Sequence, residues 1–325
     1  MRKTEMNQLE ADAGAPACEV RQEAGPKYDD LGARLRDIAA EVAPVVEAVT
    51  ALPLPPRPLI RVVSPSALAR TWLAHHHGLA HRERIAVARA GITVDAQRCA
   101  AWHTDYIDAA KGMVRRWADD AAQSMEDALM RPQVLVKAKV ITHAQHDDDQ
   151  LYRTVAHELT HLAQHRASQG LAWDTAMTPF TRKVKVPGHG FVPIAAMRLI
   201  EGHAFWAEEG VNLKVLGRKV GWSQAEGTEI FQRAKSRLGV FRNRNGEQPS
   251  ASEAAAIYDE CQRFVQTAID HVGLDHFNGI WTSFASMCPV EDEFVAPGIW
   301  QRRVGLSSVS RRPATWRQEI FLRRR

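Results

Sequence analysis

The chain has 325 residues, of which 45% are apolar, so it can bury a large core as one large domain or two modest ones. Its net charge of +4 is unevenly placed, because residues 1–30 carry −3 and residues 301–325 carry +7. The body between them is neutral, which argues against nucleic-acid binding as its main function. The sequence leaves the oligomeric state open.

The N-terminal sequence indicates neither a secreted nor a membrane protein. MRKTEMNQLEADAGAP has no apolar signal-peptide core, and Glu41 and Glu47 interrupt the most apolar helix near it. The four cysteines stand far apart without a Cys-x-x-Cys pair, which is typical neither of a disulfide framework nor of a cysteine zinc site. We therefore expect a cytoplasmic protein with reduced thiols.

Composition divides the chain into three parts. Residues 1–29 are polar and lack periodicity, so we expect a disordered acidic leader. Residues 30–305 form the expected domain. Residues 306–325 form an Arg-rich tail in which RRPATWRQEIFLRRR could contact nucleic acid through Trp316 and Phe321, but a solvated or partner-docking tail fits the neutral body better.

The first half of the domain is predicted to be mainly helical. A helix over residues 31 to about 52 should end at PLPPRP and be followed by a short strand at 59–64. Another helix begins at SPSALARTWLAHH, and a long amphipathic helix is predicted over residues 103–130. The histidines at 75–77 have no partner at ligand spacing, so we expect them at the surface.

A second strand is predicted at residues 133–141, where Val and Ala alternate with Lys137 and Lys139. Lysines on one side of a strand are typical of the edge of a sheet. The aspartates of the following loop, THAQHDDD, are suited to cap the next helix.

The second half of the domain also has a helical pattern. Pro193 is suited to the first turn of a helix that is predicted to end at Gly210. Residues 223–273 are predicted to be helical with a loop at RNRNGEQPS, and FASMCPVEDEFVAPGIWQRRV is predicted to be irregular. The whole pattern predicts an α+β fold, predominantly helical, with a small sheet and an edge strand before the helix that contains HELTH.

The stretch VAHELTHLAQH carries the strongest functional pattern. On a helix, His157, His161 and His165 fall within about 80° of each other, apart from an apolar stripe. His157 and His161 can aim at one Zn²⁺, and Glu158 lies beside them, where it can hydrogen-bond a water molecule on the metal. The same pattern also fits a solvated face that carries three histidines.

A catalytic zinc needs a third protein ligand, and Glu201 is the best candidate. It stands in an apolar stripe of its helix, where an unpaired buried charge is costly and metal binding would remove that cost. Gly202 and Ala204 would let this helix approach the HELTH helix closely, and Glu208 on the same face could orient a ligand histidine. The alternative is an ion pair between Glu201 and Arg198.

Three other histidines have weaker patterns. His203 points away from Glu201, so a packing or hydrogen-bonding role is predicted. His165 is two turns from His157, and we expect it to line the cleft or to support a ligand from behind. His189, in PGHG, could stabilise an oxyanion, although a solvated loop histidine fits the same pattern.

Several motifs together resemble a known family. HELTH, EGHA at 40 residues past His161, ECQRFVQTAIDHVGLDHFNGIW and PVEDEFVAPGIWQRRV are similar to the actinobacterial zincin-like metallopeptidase type 2 family, whose members are also described as associated with biosynthesis of a deazaflavin coenzyme. The resemblance covers residues 130–304. It implies a zincin fold in which His157, His161 and Glu201 bind zinc and Glu158 is the catalytic base, but it implies no substrate.

The sequence therefore predicts zinc-dependent hydrolysis of a peptide or protein substrate. Zn²⁺ would polarise the scissile carbonyl and acidify a bound water, and Glu158 would transfer its proton to the leaving amine. The alternative is a non-catalytic zincin scaffold that binds a partner, with a structural zinc or none. The presence of Glu158 favours the enzyme over the scaffold, since a structural zinc site needs no general base.

Overall fold

A computed structural model describes residues 18–89, 104, 107–108, 111–112, 121–173, 175–176, 192–220 and 251–307. The predictions for His189, for most of the helix at 103–130 and for the tail beyond residue 307 lie outside the described residues.

The sheet has four strands in the order β1-β2-β4-β3. The strands are β1 (Glu19–Gln22), β2 (Leu59–Val63), β3 (Ala122–Glu126) and β4 (Pro132–Lys137). Strand β2 is parallel to both β1 and β4, whereas β3 is antiparallel to β4. The two central strands are rich in Val, Ile and Leu because helices cover both of their faces.

The positions of the strands contradict three predictions. The strand predicted at 133–141 is not an edge, since β4 lies between β2 and β3, and the chain turns into a helix at Ala138. The edge is β3, which lies inside the helix predicted at 103–130. The other edge, β1, lies in the segment predicted to be a disordered leader. Both edge strands form because a neighbouring strand supplies their hydrogen bonds, β2 for β1 and β4 for β3, which outweighs weak local preference.

Helices make up most of the described structure, as the sequence predicted. They are α1 (Asp29–Thr50), α2 (Pro65–Arg89), α3 (Ala138–His143), α4 (Asp148–Ser168), α5 (Val192–Leu216), α6 (Ala251–Val272), α7 (Leu274–Thr282), α8 (Phe284–Met287), α9 (Glu291–Val295) and α10 (Pro297–Ser307). A 3-10 turn at Pro26–Tyr28 precedes α1. Helix α5 continues past the predicted end at Gly210, and the C-terminal segment predicted to be irregular contains α8, α9 and most of α10.

The main core lies between the sheet and a layer of helices. Helix α4 packs against α1, α5 and the strands β3 and β4, and α6 packs against α5. Helix α2 packs against the opposite face of the sheet, where Trp72, Met125 and Leu135 belong to a second apolar cluster. Among the described residues, no helix combines the length and apolar character needed to cross a bilayer. Cys18, Cys261 and Cys288 are free thiols, as expected.

The contact between α5 and α6 is very close at Gly202. A Cβ atom at Gly202 would lie 2.7 Å from the carbonyl carbon and the Cβ of Cys261. Only glycine fits there without a shift of one helix. Gly202 thus sets the position of the helix turn that carries Glu201.

Candidate metal centre

The beginning of α4 is fixed by a capping box. The Asp147 carboxylate accepts a hydrogen bond from the Gln150 backbone N–H, and the Gln150 side chain accepts one from the Asp147 N–H. The aspartate cap predicted from the sequence is therefore confirmed. The helix that follows is buried around His157 and His161, which are only 3% and 4% exposed, so the alternative of a solvated histidine face is wrong.

Helices α4 and α5 bring the three predicted ligands together. The two histidine Nε2 atoms are 3.1 Å apart, and the Glu201 carboxylate oxygens lie 3.4 Å from Nε2 of His157 and 3.7 Å from Nε2 of His161. Tetrahedral zinc with bonds of about 2.0–2.1 Å places its ligand atoms roughly 3.3 Å apart. The observed spacing is close to that value, so these residues could hold a metal ion.

Glu201 does not form the ion pair with Arg198 that we considered as an alternative. The Arg198 guanidinium lies 2.9 Å from the Glu260 carboxylate and also contacts the Cys261 sulfur. The Glu201 side chain is 5% exposed and faces the two histidines. A divalent metal ion bound to this carboxylate and the two imidazoles would neutralise the buried negative charge.

A carboxylate behind His157 orients its ring. Glu208 Oε2 accepts a hydrogen bond from Nδ1 of His157 at 2.9 Å, and Glu208 Oε1 accepts one from Nε of Arg153 at 2.8 Å. This contact leaves Nε2 of His157 facing the other two donors, as we expected for Glu208. Burial opposes protonation, but without a metal the hydrogen bonds to Glu201 and Glu208 raise the pKa of His157 to about 9.

An amide holds the ring of His161 in the same way. Gln164 Oε1 accepts a hydrogen bond from Nδ1 of His161 at 2.9 Å, and the Gln164 amide donates to the Ile200 carbonyl and to Nδ1 of His203. No motif in the sequence singled out Gln164, although its position three residues after His161 places both on one helix face. His203 is fully buried and stacks on Trp206, which confirms its predicted packing role.

The predicted base, Glu158, is held against the edge strand. Its side chain is buried, and Ser124 Oγ of β3 lies 2.7 Å from Glu158 Oε2 and 3.0 Å from the Glu158 carbonyl oxygen. The hydroxyl can therefore fix the carboxylate relative to β3. No sequence pattern indicated Ser124, because the contact depends on the placement of β3 beside α4.

A cleft runs along β3 and reaches the candidate metal centre. Residues 123–126 of β3, His161 and Glu201 line it, together with side chains from α2, from α5 and from residues 173 and 176. His75 of α2 is one of these side chains and is buried, and the neighbouring His76 is also buried and stacks on Trp72. The surface position predicted for residues 75–77 is therefore wrong for these two histidines.

His165 lies near the end of this cleft. Its Nε2 atom is 2.7 Å from Glu126 Oε1, and its ring packs edge-on against Trp173. Gly170, with φ +80°, packs against the pair, since a Cβ there would lie 3.1 Å from the His165 ring. His165 therefore pairs with Glu126 of the edge strand and contacts Trp173, and these two residues rather than His165 line the cleft.

Comparison with known proteins gives a likeness in fold. No protein-family model matches the chain, and no curated protein does. The structure named "Crystal structure of a putative hydrolase with a novel fold from Chloroflexus aurantiacus" is similar with a TM-score of 0.53 and 17% sequence identity, over 84% of this chain and 89% of that one. At this identity the likeness concerns the fold.

Proposed function

We propose that the protein is a zinc-dependent metallopeptidase related to the zincin-like metallopeptidase type 2 family. The observation that carries the proposal is the near-tetrahedral spacing of His157, His161 and Glu201 donor atoms, with Glu158 next to the first of them in the chain. Two histidines and one glutamate are a donor set of catalytic zinc, which keeps one position open for substrate. The similar structure, itself named a putative hydrolase, agrees with hydrolysis.

The residues around the site supply the parts that peptide hydrolysis needs. Zinc, when bound, would polarise the scissile carbonyl and lower the pKa of water. Glu158 accepts the proton of the attacking water and delivers it to the leaving amine. Since Ser124 donates to Oε2 of Glu158, we assign Oε1 as the basic oxygen.

The edge strand suits an extended polypeptide substrate. Strand β3 pairs with β4 on one side only, and its residues 123–126 line the cleft on the other. A peptide can hydrogen-bond to such an edge as an additional strand. We therefore assign to β3 the role of holding the substrate backbone by strand addition.

The test compares two substitutions that act on different steps. Glu158→Gln keeps the size of the side chain and all three donors, so zinc should remain at about one per chain while cleavage falls by roughly 10²–10⁴-fold. Glu201→Ala removes a donor, so both zinc and cleavage should be lost. Asp37→Asn on the exposed side of α1 is the matched control and should change neither.

Elemental analysis gives the zinc content, and mass spectrometry of an unstructured peptide library gives cleavage. A wild-type protein without zinc, even after zinc is added, would show that the ligand assignment is wrong. A zinc-loaded Glu158→Gln protein that cleaves as well as wild type would place the base elsewhere. A zinc-loaded wild type that cleaves nothing in the library would favour the non-catalytic scaffold.

A further inference from the structure

The cleft has an apolar end next to the candidate metal centre. Met197 and Ile200 of α5 line it from one side, and Trp173 and Ala176 line it beside His161. Met197, Ile200 and Ala176 are at most 9% exposed, so little water reaches them. A substrate side chain that enters this space exchanges contact with water for contact with carbon atoms.

Charged groups in the cleft are already engaged. Among the described residues that line the cleft there is neither lysine nor arginine. Glu201 faces the two histidines, and Glu126 lies 2.7 Å from the His165 ring. An acidic substrate side chain would therefore lose water without gaining a cationic partner, which is costly.

The wall formed by Trp173 is held in place by its neighbours. Its ring lies edge-on to His165 at 4.9 Å and to His161 at 6.5 Å between centroids. An aromatic ring fixed in this way offers a flat apolar surface to an incoming side chain. The small side chain of Ala176 leaves room beside that surface.

We propose that Trp173, Ala176, Met197 and Ile200 form a specificity pocket for an uncharged apolar side chain of the substrate, adjacent to the scissile bond. The pocket determines which side chain is bound and takes no part in proton transfer. This inference rests on the proposed metallopeptidase function, because a metal held by His157, His161 and Glu201 would place the scissile bond next to the pocket.

The test uses binding, so that it does not depend on catalysis. Zinc-loaded wild-type protein is titrated by calorimetry with peptide hydroxamates that differ only in the side chain next to the hydroxamate: Ala, Leu, Phe, Lys or Asp. We expect the Leu or Phe compound to bind at least about tenfold more tightly than the Ala compound, the range for added methylenes in an apolar pocket. The Asp compound should bind most weakly.

Two variants reshape the pocket in opposite directions. Ala176→Leu should narrow it and shift the preference from Leu and Phe to Ala. Met197→Ala should widen it and favour Phe over Leu. Leu213→Ala is the matched control, since Leu213 lies on the same helix as Met197 but is exposed and does not line the cleft, and it should leave the order of affinities unchanged.

Three outcomes would overturn the inference. Equal affinities for all side chains would show that no pocket selects them, and tighter binding of the Lys compound would show that Glu126 attracts cations. Variants with the wild-type order would place the selecting residues elsewhere. If acetohydroxamate, which has no side chain, fails to bind to protein incubated with zinc, the metal assignment itself is wrong and the pocket loses the site on which it depends.

Discussion

Replacing Glu208 by glutamine should weaken zinc binding without touching a zinc ligand. In the structure the Glu208 carboxylate accepts hydrogen bonds from Nδ1 of His157 at 2.9 Å and from Arg153 at 2.8 Å. The two donors contact different carboxylate oxygens, and Glu208→Gln replaces one of these oxygens by an NH₂ group. The glutamine can therefore accept a hydrogen bond from His157 or from Arg153 but not from both. Loss of such an orienting contact typically lowers metal affinity about 10–100-fold, which corresponds to roughly 1.4–2.7 kcal/mol.

The affinity is measured by competition with a chromophoric zinc chelator, and the matched control is Glu209→Gln. Glu209 is the next residue of α5 but contacts Gln262 and Lys219 instead, so its variant should bind zinc as wild type does. Unchanged zinc affinity in Glu208→Gln would refute the argument that Glu208 orients His157.

A double variant separates ligand orientation from general stability. Glu208→Ala leaves Arg153 buried without its carboxylate, which should cost about 3–5 kcal/mol of unfolding free energy. Adding Arg153→Met removes the stranded charge and should recover most of that loss in urea denaturation of zinc-free protein. Zinc affinity should stay low, because His157 still lacks its acceptor. Recovery of both properties would mean that Glu208 acts only through stability.

Three further predictions concern other parts of the molecule. Burial, with a smaller effect of the neighbouring His77, lowers the pKa of His76 from 6.5 to about 4. The unfolded chain takes up a proton at His76 below pH 6.5 and the folded protein does not, so the free energy of unfolding falls as the pH drops below 6.5. Phenylalanine cannot take up this proton. In chelator-treated protein, His76→Phe should therefore lose about 2 kcal/mol less unfolding free energy than wild type between pH 7 and pH 5. Gly202→Ala should cost about 1–3 kcal/mol in urea denaturation and weaken zinc binding, since its added carbon meets Cys261, whereas Gly305→Ala should cost less because its carbon meets nothing within 4 Å. Deleting residues 308–325 should leave thermal stability and zinc content unchanged, because this Arg-rich segment lacks apolar periodicity; a loss of either would show that the tail is structural.

The grouping of the candidate metal ligands could be predicted from the sequence because local rules determine most of it. The spacing of His157 and His161 places both on one helix face, and the aspartates before α4 cap it as expected. Glu201 was found because a carboxylate in an apolar stripe needs a partner, and the structure provides the two histidines. These inferences needed only the geometry of one helix and the cost of burying charge.

Predictions that depended on contacts between distant segments were wrong or absent. AQSME, in β3, has little strand preference of its own and forms a strand because it pairs with β4, which the distant strand β2 holds in the sheet. Lys137 suggested an edge, yet β4 is central because β2 pairs with it in parallel from 70 or more residues away. For the same reason no pattern indicated that Ser124 contacts Glu158 or that Glu126 pairs with His165.

The position of β3 in the lining of the cleft affects what can reach the candidate metal centre. Residues 123–126 span about 10–14 Å of extended chain and lie between side chains of α2 and α5. The backbone groups of a folded domain are already hydrogen-bonded within that domain. A segment that is extended over this length has free backbone groups that can pair with β3. We therefore expect an extended segment to enter the cleft more readily than a compact protein, and we expect the lining side chains of α2 and α5 to hinder pairing of β3 with the sheet of a second molecule.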